Sequence, residues 1–292
     1  EIGVRLVGSE MCIRDSLSSR YGTVIGMTRI AVIGGGQMGE ALIAGTIKGG
    51  LAPENIIVCE NNAERAFELT KRYDILAAEI DEAVESADYV FIAVRPKDVK
   101  AVLQGLSEVA PNLDNELVVV SIAAGIPTAF YENQLSAGAP VVRVMPNTPM
   151  LVGEGVCAVS AGRYARPEHM EEVCRLLGEV GTVLEVPEAD MDTVTALSGS
   201  GPAYFFLMVE AMVEAGVSMG LTRQVATQLT VGTISGSAKM LQDSGKSATQ
   251  LREAVTSPGG TTAAGLRAFE DGGFRSTVYN VLEAAAKKSE QL

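Results

Sequence analysis

Between Met27 and Pro187, short continuous apolar runs alternate with stretches of helical period, and after Glu188 only the helical pattern remains. The runs fall at residues 29–33, 56–60, 89–94, 117–122 and 141–145. Apolar runs without polar alternation fit strands covered on both faces, as in a parallel sheet between helical layers. After the third run, Val99, Val102, Leu103, Leu106 and Val109 recur at helical spacing, and residues 155–161, 167–180 and 182–186 read as one more strand–helix–strand group. The pattern predicts an α/β, Rossmann-like N-terminal domain with a mostly parallel sheet over residues 27–188, then an all-α helical domain over 189–292. Residues 1–26 show no period, since Arg5, Glu10, Arg14, Asp15 and Arg20 break every apolar run. They are expected to form a non-native or disordered leader ahead of a start at Met27, and their apolar runs are too short for a secretory signal.

In the helical half, residues 204–219 are apolar nearly all round, interrupted by Glu210, Glu214 and Gly216. That length is short for a membrane span. It predicts a helix buried by other helices or by a second copy, and hence at least a homodimer with no membrane partner. Ser247 and Gln250 match a capping box opening a helix over 248–254, and a last helix over about 275–288 carries Val278, Val281, Leu282 and Ala285 on one face. Between them lies Ser257-Pro258-Gly259-Gly260-Thr261-Thr262, followed by Ala263, Leu266 and Phe269 at helical spacing. Gly260, Thr261 and Thr262 are expected to supply the first free N–H groups of that helix, a setting for a carboxylate or phosphate.

Composition narrows the function. A net charge of -13, from 23 Lys+Arg against 36 Asp+Glu, excludes a nucleic-acid surface, so an anionic substrate must be held locally. Cys12, Cys59, Cys157 and Cys174 form no C-x-x-C pair and have no histidine cluster beside them. A reducing cytoplasm is therefore expected, with no metal. His169, the single histidine, opens a charged helical stretch and is expected to be exposed and structural, which removes the usual His acid/base from the candidates.

Gly34-Gly35-Gly36-Gln37-Met38-Gly39 matches G-x-G-x-x-G between a strand and a helix, the context in which it binds a dinucleotide. Gly34 fits the tight turn, Gly36 the approach of backbone to pyrophosphate and Gly39 the helix–strand packing. Glu60 closes the second strand about 20 residues later, where a carboxylate accepts from the ribose 2′-OH. It leans the cofactor toward NADH, although Asn61, Asn62 and Arg65 stand ready for the 2′-phosphate of NADPH. The other strands end in the loops 95–97, 123–125 and 146–149, where open α/β sheets bind ligands.

Together these residues resemble pyrroline-5-carboxylate reductase from Met27 to about Leu292. The most specific match is residues 255–266, supported by 93–96, 145–149 and 198–204. Arg95 departs from the lysine common in the family, and Glu60 from a small or polar residue. The resemblance implies NADPH- or NADH-dependent reduction of 1-pyrroline-5-carboxylate to L-proline. It implies that Ser257, Gly260, Thr261 and Thr262 hold the substrate carboxylate, with the Thr262 hydroxyl at the ring nitrogen. By the same analogy Ala93, Val94, Pro96, Ala123 and Asn147 form the nicotinamide side of the cleft. Two alternatives stand beside it: a 3-hydroxyacid-type dehydrogenase with Lys239 as acid/base, and a non-catalytic NAD(P)-sensing protein.

Overall fold

The computed structural model describes residues 28–85, 87–109 and 117–291, so the expected leader lies outside the described residues. Its sheet has the order β3-β2-β1-β4-β5-β6-β7-β8. The strands are β1 (Ile30–Ile33), β2 (Ile56–Cys59), β3 (Leu76–Ala77), β4 (Tyr89–Ile92), β5 (Val118–Ser121), β6 (Val141–Met145), β7 (Gly155–Ala161) and β8 (Gly181–Glu185). Every pairing is parallel except β6 with β7. The two-residue β3 went unread in the sequence, because two residues carry no period.

Successive strand residues bury on opposite faces. Ile30, Val32, Phe91, Val118 and Val120 join one core with helices α1 (Gln37–Lys48), α2 (Ala63–Tyr73) and α6 (Pro167–Leu177). Ala31, Ile33, Val90, Ile92 and Val119 join the other with α3 (Ile80–Glu85), α4 (Val99–Val109) and α5 (Thr128–Glu132). Both faces of the strands are thus dry, which is why their sequence runs show no polar alternation.

The helical half begins where Glu188 accepts from the buried Arg143 of β6 at 2.9 Å and from the Thr128 amide at 3.1 Å. It comprises α7 (Met191–Val194), α8 (Gly201–Ser218), α9 (Arg223–Asp243), α10 (Ala248–Ala254), α11 (Thr261–Asp271) and α12 (Phe274–Ser289). A π turn over Thr195–Gly199 joins α7 to α8, and Gly199 is small enough there to pass the Met145 side chain. The end of α12 docks on α7, where the Ser289 hydroxyl donates to Asp192 at 2.6 Å.

Among the remaining helices α8 and α9 pair along their length, burying Val213 and Ala226, yet much apolar surface stays uncovered. Phe205, Phe206 and Leu207 on α8 are each more than 60% exposed, as is Tyr279 on α12, and Leu229 on α9 is 58% exposed. Within one chain the expected burial of α8 is not achieved. The stretch Glu188–Ser218 is long and apolar enough to pass for a membrane span by length and composition alone.

The expected exposure of His169 is corrected: the ring is 5% exposed. It folds back over its own helix start, where Nδ1 accepts from the Arg166 amide at 3.2 Å and the Arg166 guanidinium lies 2.8 Å from Nε2. Burial first, then the Arg166 charge, holds its pKa below the ordinary imidazole value. The unfolded ring titrates near pH 6.5, so its contribution to stability is complete above about that value and is lost as pH falls through the lower folded pKa. Because the chain has one histidine, His169→Gln should flatten the melting-temperature profile between about pH 5 and pH 7 relative to wild type. Parallel profiles for the two proteins would contradict this burial effect.

Candidate functional site

The sheet reverses its winding between β1 and β4, and a cleft of about 890 Å³ opens at the carboxyl ends of those strands and of β2. Open α/β sheets bind ligands at this point. Gly34 makes the junction. Its φ of 104° lies in the region L side chains avoid, its N–H donates to the Cys59 carbonyl at 2.8 Å, and an added Cβ would stand 2.7 Å from the Ala93 carbonyl oxygen. Gly39, one turn into α1, lies against the Gly34 carbonyl so closely that a Cβ would overlap it. Gly36 differs from both. It lines the cleft, and a Cβ there would meet nothing within 4 Å.

Gly36 is also the N-cap of α1, with extended backbone and no side-chain cap. Its carbonyl accepts from the Glu40 amide at 2.8 Å, leaving the Gln37, Met38 and Gly39 amides ahead of the first helical bond. Three unspent donors on the positive end of a 12-residue helix are a setting that suits a diphosphate.

Glu60 follows β2 and touches the glycine loop. One carboxylate oxygen accepts from the Gly35 amide at 2.8 Å and the other from the Asn62 amide at 2.9 Å. Asn62 caps α2 through its side chain, which accepts from Glu64 and Arg65 amides. Arg65 donates from Nε to the Gly35 carbonyl at 2.8 Å and pairs with Glu40 and Glu68. The cleft is acidic where β2 and β3 end, with Glu60 and Glu79 in its wall. Burial first, then Glu79 and Asp81, pushes the Cys59 thiol up to about 12, so it stays protonated.

Of the residues predicted for the cofactor, Gly34, Gly36, Glu60, Asn61, Ala93 and Val94 line this cleft. Gln37, Met38 and Gly39 form the adjoining first turn of α1, and Pro96 opens a short turn over Pro96–Asp98 whose Asp98 lines the wall. Ala123 is buried past β5. Asn147 is buried past β6, where its side-chain amide donates to the Ser198 carbonyl at 3.2 Å and accepts from the Val156 amide at 2.8 Å. Both polar atoms of Asn147 thus brace the β6 end against β7 and the π turn. Ala78 and Glu79 of the wall went unread, because the loop after β3 reaches the cleft only through the β2–β3 pairing.

The predicted substrate residues form a second unit. The Gly260 amide donates to the Ser257 carbonyl at 3.0 Å, with Pro258 second and Gly259 third at φ 70°, a type II turn. Gly260 then caps α11 with extended backbone and no side-chain cap, and its carbonyl accepts from the Ala264 amide at 3.1 Å. This corrects one expectation. The Gly260 N–H is spent inside the turn, so the unspent donors are those of Thr261, Thr262 and Ala263. A Cβ at Gly260 would meet the Ser257 hydroxyl, so glycine leaves that hydroxyl its place beside the helix start. Ser257, Thr261 and Thr262 are exposed and lie outside the wall of the dinucleotide cleft. Lys239 is exposed on α9.

Two family models match the chain: pyrroline-5-carboxylate reductase dimerisation over residues 188–292, and NADP oxidoreductase, coenzyme F420-dependent, over residues 29–125. A pyrroline-5-carboxylate reductase of Mycobacterium tuberculosis is 48% identical, with 92% of this chain and 98% of the relative covered. One from Corynebacterium melassecola is 50% identical, with 91% and 99% covered. Among solved structures, the pyrroline-5-carboxylate reductase of Coxiella burnetii superposes with a TM-score of 0.85 at 32% identity, covering 91% of this chain and 98% of that one. The Plasmodium falciparum pyrroline carboxylate reductase, solved with NADP bound, gives 0.80 at 32% identity, with 90% and 97% covered.

The two glycines of the cleft should respond differently. Gly34→Ala meets a disfavoured φ and the Ala93 carbonyl together, and should cost about 2–3 kcal/mol of stability. Gly36→Ala should leave the melting temperature within about 2 °C of wild type while weakening dinucleotide binding in calorimetry, since its Cβ projects into the cleft. A Gly36→Ala protein that melts early and binds normally would contradict this assignment of roles.

Proposed function

The chain belongs to the pyrroline-5-carboxylate reductase family, an NAD(P)H-dependent oxidoreductase, and from that premise we propose how its residues share the reduction of 1-pyrroline-5-carboxylate to L-proline. The observation that carries the proposal is the start of α11, where unspent amides of Thr261 and Thr262 and the hydroxyls of Ser257 and Thr262 are exposed in one short segment. An amide cluster on a helix N-terminus suits the ring carboxylate. The Ser257 hydroxyl adds one charge-assisted bond to that carboxylate. The Thr262 hydroxyl is assigned to the ring nitrogen, which changes from planar iminium to tetrahedral amine as the ring carbon is reduced.

When bound, the dinucleotide supplies the hydride. The amides at the start of α1 hold its diphosphate, and the Glu60 carboxylate favours a ribose 2′-OH over a 2′-phosphate. A protonated cyclic imine is already electrophilic, so the residues chiefly align it and exclude water. No strong acid is required of the protein, which agrees with a buried His169 of lowered pKa. The family assignment takes the place of a 3-hydroxyacid-type dehydrogenase or an NAD(P) sensor, and exposed Lys239 needs no catalytic part.

The substrate unit lies outside the wall of its own chain's cleft, while α8, α9 and α12 leave apolar side chains uncovered. A second copy laid on those helices explains both facts, with the Ser257–Thr262 segment of one protomer closing the cleft of its partner. Glu210 and Glu214, exposed along α8, speak for a protein partner over a lipid one. The free thiols Cys59, Cys157 and Cys174 fit the reducing cytoplasm. Nothing in the acidic charge balance invites nucleic acid.

Light scattering at micromolar concentration should give a dimer or larger assembly, and a stable active monomer would refute this arrangement. In steady-state kinetics, Ser257→Ala should chiefly raise the Michaelis constant for the imine, by a loss of about 1.5–3 kcal/mol. Thr262→Ala should act on turnover and Thr262→Ser should recover most of it. Lys239→Met should turn over like wild type; an inactive Lys239→Met beside a healthy Thr262→Ala would overturn the assignment.

A further inference from the structure

Gly35 is held from both sides. Its N–H donates to Glu60, and its carbonyl accepts from Arg65 Nε, each at 2.8 Å. The Arg65 guanidinium is therefore anchored on the same glycine as Glu60, the carboxylate we assign to the adenosine ribose, just behind the cleft wall that Glu60, Asn61 and Asn62 line. A guanidinium keeps its charge and offers phosphate a planar, two-pronged contact. A chain with Arg65 at this spot would be expected to prefer the phosphorylated dinucleotide.

Arg65 is not available for that contact. Its Nη1 donates to Glu68 at 3.1 Å, and its Nη2 pairs with Glu40. Glu40, in the first turn of α1, has an 18% exposed side chain and gathers three donors. One oxygen takes Arg65. The other accepts from Arg72 at 2.6 Å and from the Tyr73 hydroxyl at 2.9 Å. Both arginines that α2 turns toward α1 are thereby drawn onto one carboxylate. Among the described residues the cation in the cleft wall is Arg95, which follows β4 and is paired with Asp98 at 3.0 Å. Although burial raises the Glu40 pKa, the bonds from Arg65, Tyr73 and Arg72 outweigh it and hold the carboxyl below its ordinary value, so the clamp is charged at neutral pH.

We propose that Glu40 is a positioning residue for cofactor selectivity: by holding Arg65 and Arg72 against α1 it denies a 2′-phosphate its cationic partners and leaves the ribose edge of the cleft to Glu60. The inference rests on the reading of this cleft as the dinucleotide site. It differs from a purely structural tie between α1 and α2 in one observable. A tie changes stability, whereas a clamp changes the preference between nucleotides that differ only in the 2′-phosphate.

The test is calorimetric binding of 5′-AMP and of adenosine 2′,5′-bisphosphate to the full-length protein and four variants. Glu40→Gln should raise the preference for the bisphosphate about tenfold, the effect of one charge-assisted hydrogen bond, and adding Arg65→Met should cancel most of that gain. Arg65→Met alone, which leaves the clamp carboxylate in place, should barely move the ratio. Glu64→Gln removes the same charge from the start of α2 without touching either arginine, and should give well under half the effect of Glu40→Gln. The proposal is overturned if Glu40→Gln leaves the ratio unchanged, if Glu64→Gln matches it, or if Arg65→Met alone sharply weakens bisphosphate binding. If neither nucleotide binds wild type at millimolar concentration, the dinucleotide reading of the cleft itself fails and takes this inference with it.

Discussion

Three backbones meet at Gly34, and they can do so only because that residue has no side chain. Its N–H is tied to the end of β2, its Cα faces the carbonyl that follows β4, and its own carbonyl is covered by Gly39 of α1. Everything at the cofactor end follows from that convergence. It brings the carboxyl ends of β1, β2 and β4 level, aims the start of α1 into the space they leave, and places Gly35 where Glu60 and Arg65 can grip it. The charged residues to which we assign cofactor selectivity stand on a frame that glycine and close packing have already fixed.

The substrate end is built on a different physical basis. A type II turn with Pro258 and Gly259 at its centre delivers Gly260 as an extended cap, so α11 begins with its amides uncovered and two hydroxyls beside them. That segment stands among helices whose apolar side chains one chain leaves in water. Exposed aromatic and aliphatic groups on α8, α9 and α12 carry a hydrophobic cost that a second copy would remove in the arrangement we propose. Catalysis and assembly are in this view one requirement: the surface that must be buried is the one that carries the substrate loop to a cleft.

Much of this was legible in the sequence because its causes are local. The strand–glycine–helix order of residues 29–45, the capping box of Ser247 and Gln250, and the helix that starts after Gly260 are each fixed by residues a few positions apart, and all appear in the structure. What stayed hidden depends on partners far along the chain. The antiparallel β7, the bracing of Asn147 between Ser198 and Val156, and the capture of Arg65 by Glu40 have no signature in the neighbouring residues. His169 misled because a charged neighbourhood reads as surface, while the ring itself turned inward to cap its helix. Gly260 looked like a donor until the turn claimed its N–H.

The central claim is that each cleft is completed by the Ser257–Thr262 segment of the other protomer, and subunit complementation tests it most directly. Gly36→Asp places a carboxylate in the cradle we assign to the diphosphate, and Ser257→Ala combined with Thr262→Val removes both hydroxyls we assign to the substrate; each protein alone should be nearly inactive. Unfolded together in equal amounts and refolded, they form heterodimers in which one cleft has both an intact dinucleotide cradle and an intact partner loop. Activity should then return to about a quarter of wild type, because about half the dimers are mixed and each mixed dimer has one working site of two. If the mixture stays as inactive as its components while mixed dimers are shown to form, each cleft uses its own loop and the shared site is contradicted.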